Sequence, residues 1–156
     1  MRVLAFDPGI ARVGYAIVDG DVSTQVMVEC GLIETEAETP FPERLCRIHH
    51  DALDIADEFS PDLVAVEKLF FSKNTKTAMD VAHARGVLLM VPYHRNIPVF
   101  EYSPAEIKVA VTGSGSADKY QVGEMVKMLL KLQTVPKPDD VADAVALGLC
   151  HLFSVR

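Results

Sequence analysis

The first third of the chain is built from short apolar runs. Residues 2–7, 12–19 and 25–34 are rich in Val, Ile, Leu and aromatic side chains, a composition that predicts three strands. The breaks between them, Asp7-Pro8-Gly9 and Asp19-Gly20-Asp21, carry turn chemistry: Pro presets φ, Gly admits left-handed backbone, and Asp hydrogen-bonds its own chain. Links this short join antiparallel neighbours. The period then changes. Leu45, Ile48, His49, Ala52, Ile55, Ala56 and Phe59 recur at three- and four-residue spacing, so 42–59 reads as a helix stopped by Pro61-Asp62. Leu63-Val64-Ala65-Val66 is continuously apolar before Glu67, the pattern of a strand covered on both faces.

Beyond it, Asn74 or Thr75 can cap a helix to about residue 93, followed by a strand over 97–102. Ser103-Pro104-Ala105-Glu106 is a capping box with proline at the first helical position, opening a helix to about residue 112. Gly113-Ser114-Gly115-Ser116 reads as a flexible loop, and 120–132 and 139–153 as two further helices. The order is β-β-β-α-β-α-β-α-α-α. A meander followed by alternation predicts the α/β class: a five-stranded mixed sheet, antiparallel then parallel, with helices on both faces, in a single domain of residues 1–156.

Composition narrows the function classes. The chain has 156 residues, 49% hydrophobic and 24% charged, enough to bury a core without a disulfide or structural metal. Cys30, Cys46 and Cys150 are odd in number and form no CxxC pair, which disfavours a disulfide framework or a cysteine zinc site. The N-terminus enters a strand pattern at once, and no apolar run reaches the roughly 18 residues of a membrane span. A cytoplasmic protein without a membrane partner is expected. The net charge of −7 argues against broad nonspecific nucleic-acid binding. It leaves room for a local basic surface, because phosphate binding depends on the patch and not on the sum.

The acids carry the chemistry. Asp7 and Glu67 each end an apolar strand, so both are held by sheet; if those strands are parallel neighbours, both acids emerge at one sheet edge, where open α/β sheets place sites. Asp140 and Asp143 are three apart on the last helix and project from one side. Taken singly, Asp7 suits a turn before Pro-Gly, Glu67 a surface acid, and Asp139 and Asp140 a helix start favoured by the dipole. Asp143 sits among Ala142, Ala144, Val145 and Ala146, where an unpartnered acid is costly. Jointly, converging carboxylates repel and cations relieve that repulsion; oxygen-only donors suit Mg²⁺ or Mn²⁺.

Phe6-Asp7-Pro8-Gly9 with Gly14-Tyr15-Ala16, Val66-Glu67, Phe70-Phe71-Ser72-Lys73-Asn74, Ala84-Arg85-Gly86-Val87, the 113–119 block and Asp140-Val141-Ala142-Asp143-Ala144 together resemble the bacterial Holliday-junction resolvases of the RuvC family. The Asp7 block alone is weak, since sugar kinases and other relatives share Asp-x-Gly; the whole set is specific. The resemblance implies a ribonuclease H-like fold and a homodimer that cuts four-way junction DNA by symmetric paired nicks. It also implies two Mg²⁺ per site (Mn²⁺ substituting), partnership with the RuvA and RuvB branch-migration proteins, and a role in recombinational repair. Asp7, Glu67, Asp140 and Asp143 match the family's metal-binding catalytic acids, and Lys119 and Lys108 its basic residues near the site.

Phe70 and Phe71 follow the Glu67 strand directly; they suit either core packing or a wedge that stacks on unpaired bases at the crossover. Lys68, Lys73, Lys76 and Arg85 lie close by in sequence and suit either a phosphate-binding strip or a solvated face. Ala78, Val81, Ala82, Arg85, Leu88 and Leu89 make a helical stripe, partly core and, by the resemblance, partly dimer contact. The five histidines have no metal spacing with the acids. Rival readings are an RNA-acting nuclease branch of the same superfamily, a sugar-kinase-type ATP-binding domain, disfavoured by the absence of a second phosphate loop, and a noncatalytic junction-binding module.

Overall fold

The structure, a computed structural model, describes residues 1–69 and 75–155, with 75 and 76 described by backbone alone. The elements are β1 (Arg2–Asp7), β2 (Arg12–Gly20), β3 (Gln25–Glu34), α1 (Phe41–Phe59), β4 (Leu63–Glu67), α2 (Thr75–Arg95), β5 (Val99–Tyr102), α3 (Pro104–Thr112), α4 (Lys119–Leu129) and α5 (Asp139–Ser154). One sheet is ordered β3-β2-β1-β4-β5. The first three strands form the antiparallel meander, and β4 and β5 add in parallel beside β1.

Strand alternation divides the core in two. Val3 and Ala5 of β1 and Leu63 and Ala65 of β4 face α3, α4 and α5. Leu4, Phe6, Val64 and Val66 face α1 and α2. Both faces of β1 and β4 are thus covered, which is why their runs are continuously apolar. Phe6 and Leu4 are fully buried, each worth about 1.5–3 kcal/mol of transfer free energy.

Local chemistry sets the helix starts. Ser103 and Glu106 make the predicted capping box on α3. A second box, Asp118 with Gln121, starts α4 at Lys119, one residue earlier than its hydrophobic pattern suggests. Three ends differ from expectation by two residues or more. The α4 helix stops at Leu129 instead of 132, with Lys131 left-handed at φ 53°. The α2 helix continues through Pro92 to Arg95, where the Pro92 carbonyl accepts a hydrogen bond from Ile97 N at 2.9 Å. That bond keeps Ile97 in the helix exit, so β5 begins at Val99 and not at 97.

The last helix is the central one. Its residues from Val141 to Leu152 are buried except Asp143, and it lies across β1 and β2. Small residues permit that approach: a Cβ on Gly148 would stand 2.8 Å from Val18 Cγ2.

Candidate active site

Alternation decides where Asp7 and Glu67 point. Asp7 continues the Val3–Ala5 series and Glu67 the Leu63–Ala65 series, so both project toward the face that carries α5. The parallel register pairs Phe6 with Val66, which sets the two acids side by side where the strands end. The start of α5 lies over the same edge: Gly14, paired with Asp7 across β1 and β2, packs directly beneath the Asp140 carbonyl. Asp140 and Asp143 are therefore brought over the strand ends by the helix they belong to.

The electrostatics report the convergence. Burial first, then the charges of Glu67, Asp143 and Asp140, push the Asp7 carboxyl up to about 8, with Lys119 opposing. Glu67 is raised by burial and then by Asp143, again opposed by Lys119. Asp7 thus lies within the field of all three of the other acids. The Lys119 ammonium donates to Asp143 Oδ2 at 3.0 Å and lies 3.8 Å from Asp139 Oδ2. The bond to Asp143 raises the lysine above its ordinary range despite burial. Arg12, at the start of β2, stands 3.8 Å from Asp140 Oδ2.

Glu67, Asp143, Lys119 and Lys108 share one cleft of about 230 Å³, walled by Ile107, Val122 and Ala146. None of its lining residues is a histidine or cysteine, so it offers carboxylate oxygens to a hard cation. As placed, no three acidic, histidine or thiol side chains among the described residues stand close enough together to hold an ion. The donor set fits a divalent cation on chemical grounds: a carboxyl raised by burial and by neighbouring acids is relieved by positive charge.

That proton has a consequence. A cation binding at Asp7 must displace it, so affinity should rise with pH below about 8 and level off above. One displaced proton gives about a tenfold gain per pH unit. Titrating Mn²⁺ into the protein by calorimetry at several pH values checks this; pH-independent affinity would remove Asp7 from the ligand set.

The other expected residues divide. Phe70, Phe71 and Lys73 lie outside the described residues, and Lys76 falls in the first turn of α2. Lys68 stands 3.8 Å from Glu106. The Arg85 guanidinium is engaged within the protein, its Nε donating to the Glu67 carbonyl at 3.1 Å and its other arm pairing with Glu101. Of the proposed α2 stripe, only Leu88 is fully buried; the core-facing positions are Ala84, Leu88 and Val91. No histidine lines the cleft, and the buried His151 shares a hydrogen bond with the Tyr102 hydroxyl at 2.8 Å.

Sequence reasoning did not single out Arg12, whose role needs the β2–α5 packing. It also passed over Tyr120, Lys127 and Lys137, which with Lys119 and Asp139 line a groove between α4 and the segment before α5. Tyr120 is 75% exposed there. No local signal marks these residues, because the groove joins segments that meet only in the fold.

Comparison with known proteins gives a consistent result. The family model described as crossover junction endodeoxyribonuclease RuvC matches residues 3–151. A protein of that description from Finegoldia magna is 50% identical over 156 residues, covering 100% of this chain and 95% of its own. The Thermus thermophilus RuvC structure superposes with a TM-score of 0.90 at 35% identity, covering 98% of this chain and 94% of that one. The T. thermophilus RuvC in complex with Holliday junction substrate gives a TM-score of 0.93 at 34% identity, covering 98% and 93%.

Proposed function

This chain belongs to the RuvC family of crossover junction endodeoxyribonucleases, and from that premise we propose that it resolves four-way DNA junctions by paired nicks at the acid cluster. Its mixed sheet with helices on both faces is the ribonuclease H-like fold. The family is one of metal-dependent nucleases. The observation that carries the reading is the placement of Asp7 and Glu67 on the sheet face that α5 covers with Asp140 and Asp143.

Asp7, Glu67, Asp140 and Asp143 are proposed to hold two Mg²⁺ ions, with Mn²⁺ substituting. When bound, such ions activate water and neutralise charge on the attacking and leaving oxygens. The protein's own groups do the rest. Asp7, which registers all three of the other acids, is the central donor. Lys119 is held against Asp143 until a phosphate competes for its ammonium, and then stabilises charge on the phosphoryl oxygens. Lys108, on the cleft wall, holds the DNA backbone. Lys73 and Lys76 are proposed to add phosphate contacts, and Phe70 or Phe71 to act as the wedge. The Tyr120 groove continues from Lys119 and offers a stacking surface beside lysines.

We further propose that residues 1–156 work as one domain, paired about a two-fold axis through α2. A symmetric pair presents two equal sites to a symmetric substrate. RuvA and RuvB are the proposed partners and the cytoplasm the proposed compartment. No helix among the described residues is long and apolar enough to cross a membrane.

The test is Mg²⁺-dependent cleavage of a synthetic four-way junction beside structured RNA, with nick positions mapped on each strand. Symmetric nicks in opposing strands are expected, and little cutting of RNA. Binding without cutting would favour the noncatalytic module, and a monomer by sedimentation would count against paired nicks. In the same assay Phe70→Ala should slow an intact junction more than a pre-opened one; equal rates would remove the wedge.

A further inference from the structure

Arg85 lies on α2, 18 residues beyond Glu67, yet its guanidinium is spent inside the protein. Its Nε donates to the Glu67 backbone carbonyl at 3.1 Å, and its other arm pairs with the Glu101 carboxylate on β5. The side chain is only 20% exposed. Glu67 is the last residue of β4, and its peptide unit leads out of the sheet. The next amide, Lys68 N, donates to the Tyr102 carbonyl at 2.8 Å. The two hydrogen bonds therefore grip the same peptide from both ends, its C=O from α2 and its N–H from β5.

Fixing that peptide fixes ψ of Glu67, and with it the direction in which the Glu67 Cα–Cβ bond leaves the end of the strand, since φ and ψ are the only soft backbone torsions. A planar guanidinium suits the task, because one rigid fork can serve a carbonyl and a carboxylate together. Lysine offers a point charge without that fork.

We propose that Arg85 is a positioning residue: it clamps the Glu67 peptide between α2 and β5, so that the helix proposed to form the two-fold contact also sets the geometry of an active-site acid. This rests on the reading of the site given above. It replaces the expectation that Arg85 contacts DNA phosphate, and the two make opposite predictions. A guanidinium engaged with Glu67 and Glu101 adds little to DNA affinity. A phosphate contact would add to affinity and to its salt dependence.

The experiment compares wild type, Arg85→Ala, Arg85→Lys and Glu101→Ala. It measures single-turnover cleavage of a four-way junction, junction affinity across a salt series without divalent ions, and Mn²⁺ affinity of the free protein by calorimetry. The clamp predicts that Arg85→Ala and Arg85→Lys both cut about 10–100-fold more slowly and bind Mn²⁺ more weakly, as losses of groups that orient metal ligands commonly do. Junction affinity and its salt slope should stay within about twofold of wild type. Glu101→Ala should move cleavage and Mn²⁺ affinity the same way by a smaller factor. Loss of junction affinity with the salt slope reduced by about one, at unchanged maximal rate, would overturn the clamp in favour of a phosphate contact. Full activity in Arg85→Lys would also overturn it. Should Arg85→Ala fail to fold, Glu101→Ala decides: unchanged rate and metal affinity reject the proposal. Absence of junction cutting by the wild-type protein would instead reject the functional reading, which the wild-type arm reports separately.

Discussion

Replacing Asp7 by Asn should cut junction cleavage by at least about a thousandfold while junction binding without metal persists. The same change should stabilise the metal-free protein. The folded Asp7 carboxyl sits at about 8, raised by burial and by Glu67, Asp143 and Asp140. In the unfolded chain it returns to the ordinary range near 4. Between those values the folded state holds a proton that the unfolded state has lost, so folding stability falls as pH rises through this window. Its contribution is fully present below about pH 4 and gone above about pH 8. Asn carries no such proton, so the stability advantage of Asp7→Asn should grow from pH 4 to 8 and then level off. It should reach about 5 kcal/mol at most, roughly 10–20 °C in Tm. Divalent ions should raise the Tm of the wild type and do little for the variant. Thermal melts with and without Mg²⁺ across this pH range check the account. Near-normal cleavage by the variant would remove Asp7 from the chemistry, and a flat pH difference would remove the raised Asp7 carboxyl.

The second large effect lies outside the acids. Gly14 on β2 packs under the first turn of α5, and a Cβ there would fall 2.0 Å from the Asp140 carbonyl oxygen and 3.2 Å from Val141 N. Both are backbone atoms, so no side chain can swing aside. Gly14→Ala must push the start of α5 off the sheet, and α5 is buried along most of its length. Overpacking a core commonly costs about 1–3 kcal/mol, and a clash with backbone belongs at or above the upper end. A loss of roughly 6–12 °C in Tm is expected, because about 3 kcal/mol shifts a chain of this size by that amount. Cleavage should fall further than folding accounts for, since the displaced turn carries Asp140 and leads into Asp143. Denaturant melts together with cleavage below the transition separate the two effects. A variant with wild-type stability would show that α5 does not sit as close to β2 as described.

Gly14 marks the boundary of what local reasoning reaches. The Gly14-Tyr15-Ala16 block contributed to the family resemblance without a physical reason attached. The reason is a contact between residues 126 positions apart, which no window of sequence contains. The same holds for Arg85. Its position beside aromatics and lysines suggested a phosphate strip, and its partners turned out to be a backbone carbonyl and an acid of β5. Arg12 was passed over because Asp140, 3.8 Å away, comes near it only through the docking of α5.

Features set by short-range chemistry were legible from the chain itself. The Ser103–Glu106 box, the turns after Asp7 and Asp19, the apolar run ahead of Glu67 and the three-residue spacing of Asp140 and Asp143 depend on neighbours within a few positions. Strand identity followed from short apolar runs between turn residues, and helix identity from the 3.6-residue period. Element ends were less legible where a longer-range bond intervened, as at Ile97 and Pro92. Only the tertiary structure decided that β4 lies parallel beside β1, which sets Asp7 next to Glu67. It alone placed the start of α5 above them, drew Lys119 to Asp143, and gave Arg85 its partners. The physical reason is that a side chain's direction is written locally, whereas what it meets depends on which distant surfaces pack together.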